Sequence, residues 1–183
     1  MHGGQPYPSV IKLDDFIPFG SPLWWLFALL ILIARACDLG STWIASPNLL
    51  LEGNPIARRL GWKFGVPLNI ALALAFGCWP LLAISLTTTS LLVAARNLQS
   101  AWLMRTLGET HYRCWMADRL AESPRGLAGA CFLGEAALFT PVGLSLMWFA
   151  RWQLVPFAIG LGITAYAFAV ALFTSISIWR LRR

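Results

Sequence analysis

Long apolar runs alternate along this chain with short segments that hold most of its charge. Four runs, about residues 23–45, 66–86, 127–150 and 154–179, are each long enough at about 1.5 Å per residue to cross a hydrocarbon core of about 30 Å. Trp24, Trp25, Trp148, Trp152 and Trp179 stand near the run ends, where an aromatic belt meets the membrane interface. Residues 1–22 carry Pro6, Pro8, Pro18 and Pro22 among Ile11, Phe16 and Phe19, which predicts an interfacial lead-in rather than a long helix. Only Arg151, Trp152 and Gln153 separate the last two runs, so these form a tight antiparallel hairpin. Pro80 predicts a kink in the second run.

The segment between the second and third runs is the ambiguous one. Residues 87–107 carry Arg96, Asn97, Gln99 and Arg105, and putting two arginines and two amides into hydrocarbon costs several kcal/mol. The reading preferred here is therefore a basic interfacial or cytoplasmic helical segment over about 90–125, with a fifth span at 87–107 as the alternative. Leu98, Trp102, Tyr112, Trp115, Met116 and Leu120 recur there at helical spacing, interleaved with Arg105, Arg113 and Arg119, as in a helix lying on a membrane surface. The predicted fold is thus an all-α integral membrane protein of four spans, with one polytopic domain over 23–183 after the lead-in at 1–22.

Composition agrees with this pattern. Of 183 residues, 58% are apolar and 12% charged, which sets aside an ordinary soluble domain, a disordered chain and a disulfide scaffold. Cys37, Cys78, Cys114 and Cys131 show no paired spacing, so neither zinc nor a disulfide framework is expected, and no cofactor is predicted. The first run lacks a positive leader, and Arg35 interrupts its small-residue step, so residues 1–183 are read as one uncleaved chain. With four spans, Lys and Arg divide nine against four, which predicts a bacterial inner-membrane protein with both termini cytoplasmic. Basic loops against anionic headgroups account for the net charge of +6 without nucleic acid.

Charges inside spans are costly and need partners, so they are the best functional pointers here. Arg35 and Asp38 are three apart on one helix and share a face; Glu135 enters from the same side on the third run. Counted from Leu23 and Leu127, their depths are roughly 18, 22 and 12 Å, which predicts a polar centre with Arg35 between the two acids and Thr42 beside Asp38. Gly126, Ala130 and Gly134 form a small-residue stripe beside Glu135 that permits close helix approach, as do Ala158 with Gly162 and Ala71 with Ala75. The competing reading is a structural charge cluster that fixes helix order.

A second group follows the first span. Glu52, Asn54 and Pro55 lie in the next loop and could fold over Asp38, Ser41 and Thr42; oxygen donors at Asp38 and Glu52 would suit a hard cation or a polar headgroup. The plainer reading is that Asn54 caps a helix that Pro55 begins. The run from Asp38 to Trp43, DLGSTW, followed by LEGNP from Leu51 to Pro55, resembles a family of small prokaryotic multi-span membrane proteins of unknown function. The resemblance covers about residues 23–86 and implies a multi-span fold, with Asp38, Thr42, Glu52, Asn54 and Pro55 as the family-like positions.

No metalloprotease helix, serine elbow, phosphate loop or dinucleotide fingerprint is present. The expected function is therefore a non-enzymatic membrane component, a small carrier, channel or accessory subunit, whose partners are the bilayer and a second copy or another membrane protein. The alternative is an enzyme acting on a lipid or lipid-linked substrate at the extracytoplasmic face, with Asp38 or Glu52 as base.

Overall fold

The computed structural model describes residues 11–181. The lead-in before residue 11, and Arg182 and Arg183, lie outside the described residues. Among the described residues the chain is helical without strands: α1 (Pro22–Ala45), α2 (Pro55–Phe76), α3 (Pro80–Leu107), α4 (Glu109–Glu122), α5 (Arg125–Phe149) and α6 (Leu154–Leu181). Four stretches are long and apolar enough to cross a membrane, Pro22–Ala45, Pro80–Leu107, Gly126–Phe149 and Leu154–Trp179. The first, third and fourth match the sequence reading, whereas the second does not.

The predicted span at 66–86 is cut in two. Residues 66–76 finish α2, a turn follows at Gly77, Cys78 and Trp79, and Pro80 opens α3 instead of kinking a continuous helix. Proline lacks the N–H that a helix interior needs and pushes the residue before it into extended backbone, and Trp79 is extended at φ −121° and ψ 103°. Proline in the first turn breaks no helical hydrogen bond, so α3 runs unbroken through Thr87–Ser90 to Leu107. Residues 87–107 are therefore neither an interfacial segment nor a separate fifth span; they are the greater part of α3. Gly108, at φ +77°, ends it, and the basic surface helix contracts to α4.

Hydrogen bonds between helices give their directions. Ser90 meets Arg35, and Asn97 meets Ser41 and Thr42, so α3 runs parallel to α1. The chain must return between them, and it does so along α2, which places Leu74 beside Trp24 and Asn69 beside Arg35. Gly61, at φ +61° and ψ −172°, breaks α2 and leaves residues 62–76 for this return, about 22 Å at about 1.5 Å per residue. Helix α6 pairs Ala158, Gly162 and Thr174 with Ser85, Thr89 and Arg96 and so also runs parallel to α3. Helix α5 comes back antiparallel to it.

This path corrects the predicted topology. Residues 11 and 181 lie at opposite ends of the bundle, not on the same side, because α2 adds a return pass that the misplaced second span had hidden. One end collects the 46–54 loop, α4 and the last turn of α6. The other holds residues 11–21, the 77–79 turn and the 150–153 link.

Small residues bring the helices together where the bundle is tightest. A Cβ on Gly162 would stand 2.6 Å from the Ser85 carbonyl oxygen, and one on Gly160 would meet the Gly143 carbonyl at the same distance. Ser85 Oγ donates to Ala158 O and Thr89 Oγ1 to Gly162 O, each at 2.9 Å, so α3 and α6 share both packing and hydrogen bonds. The stripe at Gly126 and Gly134 is different: a Cβ at either position would meet nothing within 4 Å, so neither glycine serves a close helix contact among the described residues. A second core forms where Trp24, Ala28 and Ile31 of α1 meet Ala73, Cys78 and Ala83.

Candidate functional site

Arg35 is the first charge that the bundle must satisfy. Its Nη1 donates to Asp38 Oδ2 at 2.7 Å and to Ser90 Oγ at 3.3 Å, while its Nε donates to Asn69 Oδ1 at 2.7 Å. One guanidinium thereby joins α1, α2 and α3. Asn69 is oriented for this task by its own Nδ2, which donates to Gly65 O at 2.7 Å. One turn above, Asn97 Nδ2 donates to Ser41 Oγ at 3.2 Å and Thr42 Oγ1 at 3.1 Å, so α3 is bolted to α1 beside Asp38.

Glu135 does not join this cluster. Arg96 Nη1 donates to Glu135 Oε2, and Tyr166 hydroxyl donates to Glu135 Oε1. Arg96 also reaches Thr174 Oγ1 at 3.4 Å. The predicted centre of Arg35, Asp38, Thr42 and Glu135 thus separates into two: Arg35 with Asp38 and Asn69, and Arg96 with Glu135 and Tyr166. The sequence reading missed Arg96 and Tyr166 as participants because it assigned Arg96 to the membrane surface.

Between α1, α2, α3 and α6 lies a cavity of about 630 Å³ at the end of the bundle that carries the 46–54 loop, with that loop and α4 at its rim. Arg35, Asp38, Thr42, Asn69, Arg96 and Asn97 line it, and from the loop so do Glu52 and Asn54. Glu135 does not. The loop reaches α6 at Gly53, where a Cβ would stand 3.1 Å from Ser177 Oγ and 3.5 Å from Phe173 Cβ. A Cβ there would be in close contact with α6 and would require the Ser177 side chain to give by a few tenths of an ångström.

Glu52 and Asn54 shape the rim by local hydrogen bonds. Asn54 N–H donates to Glu52 Oε1 at 2.7 Å, and Asn54 Oδ1 accepts from Ile56 N at 2.9 Å and Ala57 N at 3.4 Å. Asn54 is therefore the N-cap of α2 with Pro55 at its first position, a role that leaves its amide oxygen committed. Burial pushes the Glu52 carboxyl above its ordinary 4.5, against the lowering effect of the Asn54 and Gly53 backbone donors. The loop is also tied to α4, since Asn48 N–H donates to Glu109 Oε1 at 2.8 Å. Glu109 Oε2 is buried without a hydrogen-bond partner among the described residues.

The donor set does not favour a cation. Among the described residues no three His, Cys, Asp or Glu side chains gather, and the Asp38 carboxylate is paired with Arg35. Four arginines, Arg35, Arg58, Arg96 and Arg113, line the cavity against two acids. Its electrostatics suit an anion. No family model matches the chain, and no curated protein or solved structure compared with it does so.

Proposed function

We propose that this chain is a multi-pass protein of the bacterial inner membrane, a small carrier, channel or accessory subunit without catalysis of its own, that receives a polar ligand in this cavity. The observation that carries the reading is the combination of cavity and lining: charges are placed within a helix bundle, at a cost, facing open space rather than being packed away. Lys and Arg residues support an orientation. The described residues at the cavity end include Arg58, Arg59, Lys63, Arg105, Arg113, Arg119, Arg125 and Arg180, against Lys12 and Arg151 at the other end. Eight against two favours the cavity end in the cytoplasm. The Glu52 loop then lies inside, where the sequence reading had set it outside.

A second reading, an enzyme acting on a lipid-linked substrate, is favoured by one observation: Glu52 faces the cavity with Asp38, and its raised pKa suits a general acid or base. A thiol-labelling experiment tests the first reading. Thr42→Cys in a chain lacking Cys114 should react with a hydrophilic maleimide, as should Arg113→Cys at the rim. Labelling at the rim without labelling at residue 42 would mean that water does not reach the polar centre, and the reading would fall. Turnover of a lipid-linked substrate that Glu52→Gln abolishes without loss of binding would establish the second reading instead.

A further inference from the structure

The cavity is not lined by polar groups alone. On one side stand Leu68 and Leu72 of α2, and on the other Val170 and Phe173 of α6. Helix α2 packs on α1 and only slightly on α3, and it has no substantial contact with α6, so the wall between α2 and α6 is missing. Leu68 and Leu72 are themselves among the exposed apolar residues. The gap therefore opens into the depth of the bilayer that acyl chains fill, while Arg58 and Arg113 stand at the rim of the same space and Arg35 lies deeper, level with Asn69.

We propose that the cavity binds an anionic phospholipid, entering sideways between α2 and α6, with its phosphate among Arg35, Arg96, Arg58 and Arg113 and an acyl chain along Leu68, Leu72 and Val170. The inference rests on the proposed function and names its ligand. Arginine forks match phosphate oxygens in geometry and stay charged in a desolvated site. Arg58 and Arg113 have no carboxylate partner among the described residues, since the ion pairs there are Arg35 with Asp38, Arg96 with Glu135 and Arg119 with Glu122. Both stand at the rim and are exposed, so they are placed to draw in an anion. At about 630 Å³ the space falls within the ordinary range of ligand pockets, about 300–1,000 Å³, and takes a headgroup and the first part of a chain, with the rest left in the bilayer.

Native mass spectrometry of the full chain in a neutral detergent tests this with three probes: phosphatidylglycerol, phosphatidylcholine and inorganic phosphate. Phosphatidylglycerol should be retained at a concentration about tenfold below that for phosphatidylcholine, a difference of about 1.4 kcal/mol. Arg58→Gln with Arg113→Gln, both at exposed positions, should erase most of that preference while the fold is kept. Arg35→Gln with Asp38→Asn removes a charge pair together and should abolish retention. Leu72→Trp fills the acyl slot without touching a charge, and it too should abolish lipid retention. Equal retention of the two lipids would overturn the anionic claim. Binding of inorganic phosphate that Leu72→Trp leaves unchanged, without lipid retention, would overturn the lipid claim in favour of a soluble anion. If none of the three probes binds although residue 42 is labelled from water, this inference fails while the proposed function stands.

Discussion

Arg96 of α3 holds Glu135 of α5, so each of the two charges lies inside a candidate span and each is the other's partner. Tyr166 of α6 closes the group, so side-chain hydrogen bonds to one carboxylate join α3, α5 and α6. Removing one member leaves a charge in a low-dielectric setting without its counterion. For a fully buried pair that costs about 3–5 kcal/mol, but these side chains are 29% and 32% exposed, so a screened cost of about 1–2 kcal/mol is expected. Arg96→Gln and Glu135→Gln should each lower thermal stability in detergent by this amount. The double variant Arg96→Leu/Glu135→Leu should recover most of it, and additive losses in the full cycle would show that the pair is not coupled.

Some of this architecture is legible in the amino-acid pattern, and the rest is concealed for one reason. Three of the four spans were legible within a few residues, because a run of some two dozen apolar residues has few other uses. The second was misplaced because residues 66–86 look continuous by hydropathy, whereas Pro80 is a helix start that only local backbone chemistry distinguishes from a kink. A span placed at 66–86 puts Arg96 and Asn97 at the surface, leaves Glu135 to Arg35 and hides the return pass along α2. Arg35 with Asp38 was readable, since i,i+3 spacing on one helix fixes a pair without tertiary knowledge. The contributions of Asn69 and Tyr166 were not readable, because they depend on which helices touch.

Small residues at the helix contacts differ in what they can tolerate. Gly162→Val would drive its side chain into the Ser85 carbonyl and Thr88, and should cost about 1–3 kcal/mol by overpacking the α3–α6 contact. Gly129→Ala meets nothing within 4 Å and should be neutral or should stabilise α5 by about 0.5–1 kcal/mol through helix propensity. Thermal unfolding of the two variants side by side checks the assignment. Equal losses would mean that α3 and α6 do not pack through Gly162.

The orientation has a reporter already in the chain. Cys114 is exposed on α4 at the basic end, whereas Cys78 is buried and Cys37 and Cys131, though exposed, lie within candidate spans. A membrane-impermeant maleimide should leave Cys114 unlabelled in intact cells or right-side-out vesicles and should label it in inside-out vesicles. Labelling from outside would reverse the assignment and set the cavity on the extracytoplasmic face.

Glu52 gives the structure a pH dependence of definite sign. Burial holds its folded pKa above the ordinary 4.5, so the folded chain binds this proton more tightly than the unfolded chain does. Stability from this group is fully present below about pH 4.5 and falls as pH rises from there through the raised folded value, after which it is level. Glu52→Gln keeps an acceptor for the Asn54 N–H and removes the titration. The variant should therefore gain on the wild type as pH rises from 4 to 7, with the two converging toward acid. Melting curves across that range decide it: a difference that does not change with pH would mean that the Glu52 carboxyl is well hydrated, and the rim of the cavity would then be more open than the loop geometry implies.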